Sequence, residues 1–172
     1  MYYLSNLKSD TVKNFDKHIK ALERDNDIEY NEQQIEAIKK AMEKNLLIIT
    51  GGPGTGKTTI IKAIVQMYKE IHNYNYDELV DKIALLAPTG RAAKRMSEST
   101  LLPASTIHRF LKWNKDNNEF LINEYNKDFS EFIIIDEVSM IDNALFDSLL
   151  RGLTHNVKII LVGDYNQLPS VG

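Results

Sequence analysis

An apolar run, Leu46-Leu47-Ile48-Ile49, opens directly into Thr50-Gly51-Gly52-Pro53-Gly54-Thr55-Gly56-Lys57-Thr58-Thr59, and a second apolar set, Ile60, Ile61, Ile64 and Val65, leaves it. No other stretch narrows the possible folds as far. The first run reads as a strand buried on both faces, and the spacing of the second reads as a helix. Between them stands the pattern G-x-x-x-x-G-K-[ST]. Its glycines let the backbone turn its N–H groups inward through conformations that side chains would hinder. Such a turn wraps an anion, and the helix N-terminus behind it adds attraction.

The rest of the chain repeats the alternation. Strands are predicted at "KIALLAP" (82–88), "EFIIID" (131–136) and "VKIILVG" (157–163). Helices are predicted at Lys57 to Ile71, at "GRAAKRMSE" (90–98) and at "NALFDSLLRGL" (143–153). Strands that are apolar throughout and separated by helices imply a parallel sheet covered on both faces, joined by right-handed crossovers. The expected fold is therefore a three-layer α/β domain.

Two helices precede it. One runs from about Asn31 to Lys44, with Ile35, Ile38 and Met42 inward. The other, from about Ser9 to Arg24, is mostly polar, with Val12, Phe15, Ile19 and Leu22 in a narrow stripe suited to lying on a neighbouring surface. Residues 1–29 thus read as a helical lead-in, the edge of a missing N-terminal domain, and residues 30–172 as the main domain. Within it, residues 111–130 break the alternation: "KDNN" supplies turn chemistry between short aromatic and aliphatic stretches, which predicts a small inserted β-hairpin.

Lys57 offers a point charge to the β and γ phosphates of a nucleotide, and the Thr58 hydroxyl completes the shell of a magnesium ion. Asp136 falls where an apolar strand ends, the position from which a carboxylate reaches that metal. Glu137 beside it is placed to orient and deprotonate a water. The combination points to a magnesium-bound nucleoside triphosphate and to its hydrolysis. A guanine-reading N-K-x-D is absent, since "NKDN" and "NKDF" carry Asp one place too early.

With 21 basic and 24 acidic residues the net charge is −3, which excludes a generally basic coat but not a local basic stripe. The absence of cysteine excludes disulfides, thiolate zinc sites and cysteine nucleophiles, and fits a reducing cytoplasm. The longest apolar stretches fall far short of the roughly 20 residues of a membrane helix, and no secretory signal is visible, so a cytoplasmic protein with no membrane partner is expected.

In order along the chain, "GGPGTGKTT", "APTGRAAKRM", "STIHRFL", "IIIDEVSMID" and "LVGDYNQLPSVG" resemble the first half of a RecD-type helicase. These are the exonuclease V alpha-subunit group of superfamily 1 DNA helicases, and the resemblance runs from about Tyr30 to Gly172. It implies a RecA-like P-loop domain that binds ATP and Mg2+ through Gly52, Pro53, Gly54, Thr55, Gly56, Lys57, Thr58 and Thr59, with Thr58 and Asp136 at the metal. Lys57, Glu137 and Gln167 are the implied catalytic residues. Gln167 would hydrogen-bond near the γ-phosphate, and Asp164 would hold its loop.

Gln34 matches the glutamine that reads adenine, although Asn31 and Gln34 also stand in the relation of a helix capping box, and both readings are open. Thr89, Gly90 and Arg91 are implied to lie on the single-stranded DNA backbone, with Arg91, Lys94 and Arg95 as local positive charge; a solvated basic helix face is the other reading. For His108 and Arg109, DNA contact and ordinary packing are equally open. Trp113 and Phe120 either stack on bases or form the hairpin's own small apolar face, which is the preferred reading.

The family's motors have two RecA-like domains, and the second supplies arginines whose absence costs about 10³–10⁵ in rate. No second half follows Gly172, so the chain is expected to be a fragment: the first motor domain, hydrolysing ATP slowly, from a helicase that moves 5′ to 3′ on single-stranded DNA, with a nuclease complex as a further partner. The alternatives are a non-motor nucleotide-binding module of a nuclease complex, and a self-associating ATPase completed by Arg91, Arg95, Arg109 or Arg151 of another copy.

Overall fold

A computed structural model describes residues 14–51 and 56–163 of the chain. The expectations for Val12, Gly52, Pro53, Gly54, Thr55, Asp164 and Gln167 fall outside the described residues.

Helices α1 (Phe15–Asn26) and α2 (Glu32–Glu43) lead into strand β1 (Leu46–Thr50) and helix α3 (Lys57–His72). Next come α4 (Tyr76–Lys82), β2 (Ile83–Ala87), α5 (Gly90–Thr100), β3 (Ala104–Thr106) and α6 (Ile107–Phe110). A hairpin of β4 (Trp113–Asn114) and β5 (Glu119–Phe120) follows, then β6 (Phe132–Ile135), a 3-10 turn (Val138–Met140), α7 (Asn143–Arg151) and β7 (Lys158–Gly163).

Five strands form one sheet in the order β1-β7-β6-β2-β3, and every neighbouring pair is parallel. The register sets Thr50 beside Gly163, and Ile135 between Leu86 and Leu161, so the strands finish together along one edge. Central β6 shows why the fold needs three layers. Its side chains alternate across the sheet: Phe132 and Ile134 join one core with Ile38, Leu47, Ile64 and Met67, while Ile133 and Ile135 join a second with Leu86, Ile107, Leu111 and Leu149. A strand buried on both faces has no polar side to spare, hence its continuous apolar run.

The α/β architecture and parallel sheet agree with the sequence reading; several details were not in it. β3 and the helices α4 and α6 were unread. β3 is three residues, Ala-Ser-Thr, too short and too polar for a periodicity argument, and it exists because β2 offers its free edge. The stripe Phe15, Ile19 and Leu22 is buried in the first core, with α1 lying on α3, and the Asn26 amide donates to Gln66 Oε1 at 2.7 Å. The expected hairpin is present as strands of two residues each, held by the Trp113–Phe120 pair. Asn114 and Asn117 close its turn by accepting from the N–H groups of Asp116 and Glu119, the local chemistry that makes asparagine a turn residue.

Candidate active site

Lys57, Thr58 and Thr59 form the first turn of α3. Gly56, its N-cap, sits at φ 78°, ψ 26°, a left-handed conformation that a side chain resists. A Cβ there would also lie 2.6 Å from Gln34 Nε2, so both backbone and neighbour call for glycine. That first turn holds no acidic residue, which leaves its positive dipole end available to an anion.

Gln34 realises the capping box. Its Oε1 accepts from the Asn31 N–H at 3.0 Å, and Asn31 Oδ1 accepts from the Gln34 N–H at 2.8 Å. The box uses the oxygen and not Nε2, which lies over Gly56. Gln34 also lines a cavity of ≈ 340 Å³ with Thr50, Gly51 and Lys57. The two readings of this residue are therefore compatible in space.

A second cavity, of ≈ 600 Å³, shares Lys57 with the first and is lined by Lys57, Thr58, Arg95, Asp136, Glu137 and Gly163 among others. Asp136 continues β6 by one residue, its N–H donating to Leu86 O at 2.9 Å, and its Oδ1 accepts from the Glu137 N–H at 2.8 Å. Burial pushes the Asp136 carboxyl above its ordinary range and the Glu137 carboxylate adds to this, while the Glu137 N–H, Lys57 and Arg95 pull against it. A half-buried carboxylate so placed is a group in want of a cation. Magnesium usually takes one or two protein oxygens together with phosphates and waters, and the Thr58 hydroxyl with the Asp136 carboxylate fits that mode.

The raised value has a measurable consequence. Because the folded-state pKa lies above the unfolded one, the contribution of Asp136 to stability is greatest in acid and is lost as pH rises through the folded value. Asp136→Asn should thus raise the stability of the metal-free chain at neutral pH by about 0.5–2 kcal/mol, the gain shrinking as pH falls below the carboxylate range. Urea unfolding midpoints at several pH values check this; a destabilised Asn variant at neutral pH would contradict it.

Glu137 holds φ 51°, ψ 44°, a left-handed conformation that costs a non-glycine residue about 1–2 kcal/mol. One of its carboxylate oxygens, Oε1, accepts from Arg95 Nη2 at 3.0 Å. Sequence reasoning treated Arg95 only as local charge and as a candidate completing arginine, and it missed this pair. Nothing local could have shown it, because α5 and the end of β6 meet only when β2 and β6 pair.

The residues expected at DNA start two helices that follow β2 and β3. Thr89 caps α5, its Oγ1 accepting from the Ala92 N–H at 3.2 Å, and Gly90 has open space where a Cβ would stand. Arg91 is exposed, as are His108 and Arg109 on α6. The His108 ring stands edge-on to Trp113 at 6.2 Å and lies 5.9 Å from Phe120, and those two rings are 4.8 Å apart. The His108 ring is thus set beside the hairpin rings while the residue stays exposed. Trp113 and Phe120 form the hairpin's own face, although Trp113 is still 39% exposed.

A family model described as an AAA domain matches residues 34–172. The chain is 37% identical over 141 residues to an ATP-dependent RecD2 DNA helicase of Deinococcus radiodurans, covering 82% of this chain and 18% of that protein. It is 36% identical over 154 residues to the RecBCD enzyme subunit RecD of Buchnera aphidicola subsp. Schizaphis graminum, covering 78% of this chain and 25% of that one. The chain therefore spans a quarter or less of these relatives' own length. Among solved structures it superposes on the Pif1 helicase from Candida albicans with a TM-score of 0.59 at 26% identity, over 84% of this chain and 34% of that one. Among the described residues no helix is long and apolar enough to cross a membrane.

Proposed function

This chain belongs to the AAA domain family, and on that premise we propose that residues 30–172 are the ATP-binding first motor domain of a RecD-type DNA helicase, with the hairpin region at about 111–130 inserted in it. The observation that carries the reading is that Lys57 and Thr58, from the start of α3, meet Asp136 and Glu137, from the end of β6, around one cavity.

In this reading Lys57 holds the β and γ phosphates, and Thr58 and Asp136 hold Mg2+. Gln34 Nε2 remains available to adenine. Magnesium supplies positive charge to the phosphate oxygens when bound. Glu137 takes the proton of a water whose oxygen bonds to the γ-phosphorus as the bond from that phosphorus to the bridging oxygen breaks, giving ADP and phosphate. The family resemblance assigns Gly52, Pro53, Gly54, Thr55 and Thr59 to the phosphate cradle and Gln167 to a role at the γ-phosphate.

Single-stranded DNA lies along Thr89, Gly90, Arg91 and Arg109, with His108 at its margin, and hydrolysis drives movement 5′ to 3′. A second RecA-like domain supplies the further arginines, and assembly with a nuclease complex follows the RecBCD subunit among the relatives. The same RecD relationship favours a second reading, a non-motor nucleotide-binding module of such a complex.

Steady-state ATP hydrolysis by the chain, with and without single-stranded DNA, beside Lys57→Ala, tests the proposal. The expected result is slow turnover that DNA raises little and that Lys57→Ala lowers by about 10²-fold or more. Turnover unchanged by Lys57→Ala would remove the proposed site. Fast, DNA-stimulated turnover would show that the completing arginine is already present.

A further inference from the structure

Arg95 has no part in the reading above, yet it lines the cavity that holds Lys57, Thr58 and Asp136, and its Nη2 lies 3.0 Å from Glu137 Oε1. Its side chain is 65% exposed while that of Glu137 is 28% exposed, so the guanidinium reaches into the cavity from solvent. An ion pair this exposed adds little to stability, so the fold does not depend on it. It matters more to the chemistry. While Arg95 occupies Oε1, the carboxylate meant for a water is shared with a cation.

We propose that Arg95 is a nucleotide-responsive residue that exchanges Glu137 for the terminal phosphate of a bound nucleoside triphosphate, delivering a cation to the phosphoryl group and freeing Glu137 for water in one movement. The inference rests on the nucleotide-hydrolysis reading and goes beyond it.

Three observations support the exchange. The guanidinium borders the same cavity as Lys57, so the phosphates held by that lysine arrive within its surroundings. A terminal phosphate offers more negative charge and more acceptor oxygens than one carboxylate, and a planar guanidinium matches such an oxygen pair with two parallel bonds. Glu137 is also the one acid with which Arg95 forms a salt bridge among the described residues, Asp136 feeling only its charge. A diphosphate lacks the group that wins this competition, so the device distinguishes the two nucleotide states.

Equilibrium binding of fluorescent ADP and of a non-hydrolysable ATP analogue tests this on the 172-residue chain and on Arg95→Ala, Arg95→Lys, Glu137→Gln and Glu137→Gln/Arg95→Ala. Arg95→Ala should weaken the triphosphate analogue about tenfold and change ADP affinity by no more than about twofold. Arg95→Lys, which keeps the charge without the fork, should recover part of the loss and serves in its place if the alanine variant fails to fold. Glu137→Gln should tighten the triphosphate analogue, and that tightening should vanish when Arg95 is also alanine. Triphosphate affinity unaffected by either Arg95 variant, or equal weakening of both nucleotides, would overturn the exchange. So would tightening by Glu137→Gln that survives the loss of Arg95, since it would reflect removal of charge alone. Failure of the unmodified chain to bind ADP would instead defeat the nucleotide-site reading.

Discussion

Single-turnover hydrolysis of bound nucleotide should fall by about 10²–10⁴-fold in Glu137→Gln, the range that a positioned general base supplies. Binding should survive. Gln is nearly isosteric with Glu and can still face the cavity, but it takes no proton from water. The left-handed backbone at Glu137 and the bond from its N–H to Asp136 Oδ1 do not depend on the carboxylate, so the loop should keep its shape. Rapid-quench hydrolysis read beside nucleotide affinity separates the two effects. Parallel loss of both would mean that Glu137 shapes the cavity; a drop of less than about tenfold would mean that another group takes the proton.

The second large effect lies far from the chemistry. Phe132 is fully buried at the start of β6, pairs with Ile83 on one side and Lys158 on the other, and sets its ring edge-on against Tyr68 at 4.6 Å. Phe132→Ala should cost about 3–5 kcal/mol, toward the upper end because ladders on both sides hinder the sheet from collapsing into the space. A domain with about 5–15 kcal/mol to lose has little left after that. The urea midpoint should drop with its slope unchanged. A loss below about 1 kcal/mol would show that the centre of the sheet relaxes freely. Because β6 carries Asp136 and Glu137 at its end, the variant should also lose nucleotide binding near the temperature at which it unfolds.

Particular residues show what could be read without coordinates. The four long strands are legible because burial on both faces leaves a continuous apolar signature, and "FIII" has no other plausible use. β3 is invisible because its pairing is dictated by the free edge of β2 and not by its own side chains. Gln34 was ambiguous for a sound reason: a capping box and a base contact ask for the same residue at the same place, and only coordinates show that the first uses Oε1 while Nε2 lies over Gly56. His108 carried two meanings in the sequence, and its exposed ring stands beside the two hairpin rings, an arrangement that serves either.

By itself the sequence determined the class of fold and singled out Lys57, Thr58, Asp136 and Glu137 as candidates for one site, because local backbone demands and two-sided burial leave marks on contiguous residues. The tertiary structure alone decided which groups share a cavity. Arg95 and Glu137 lie on separate segments, and their meeting depends on strand order and register, which are set by the summed packing of the whole sheet and written at no single position in the chain.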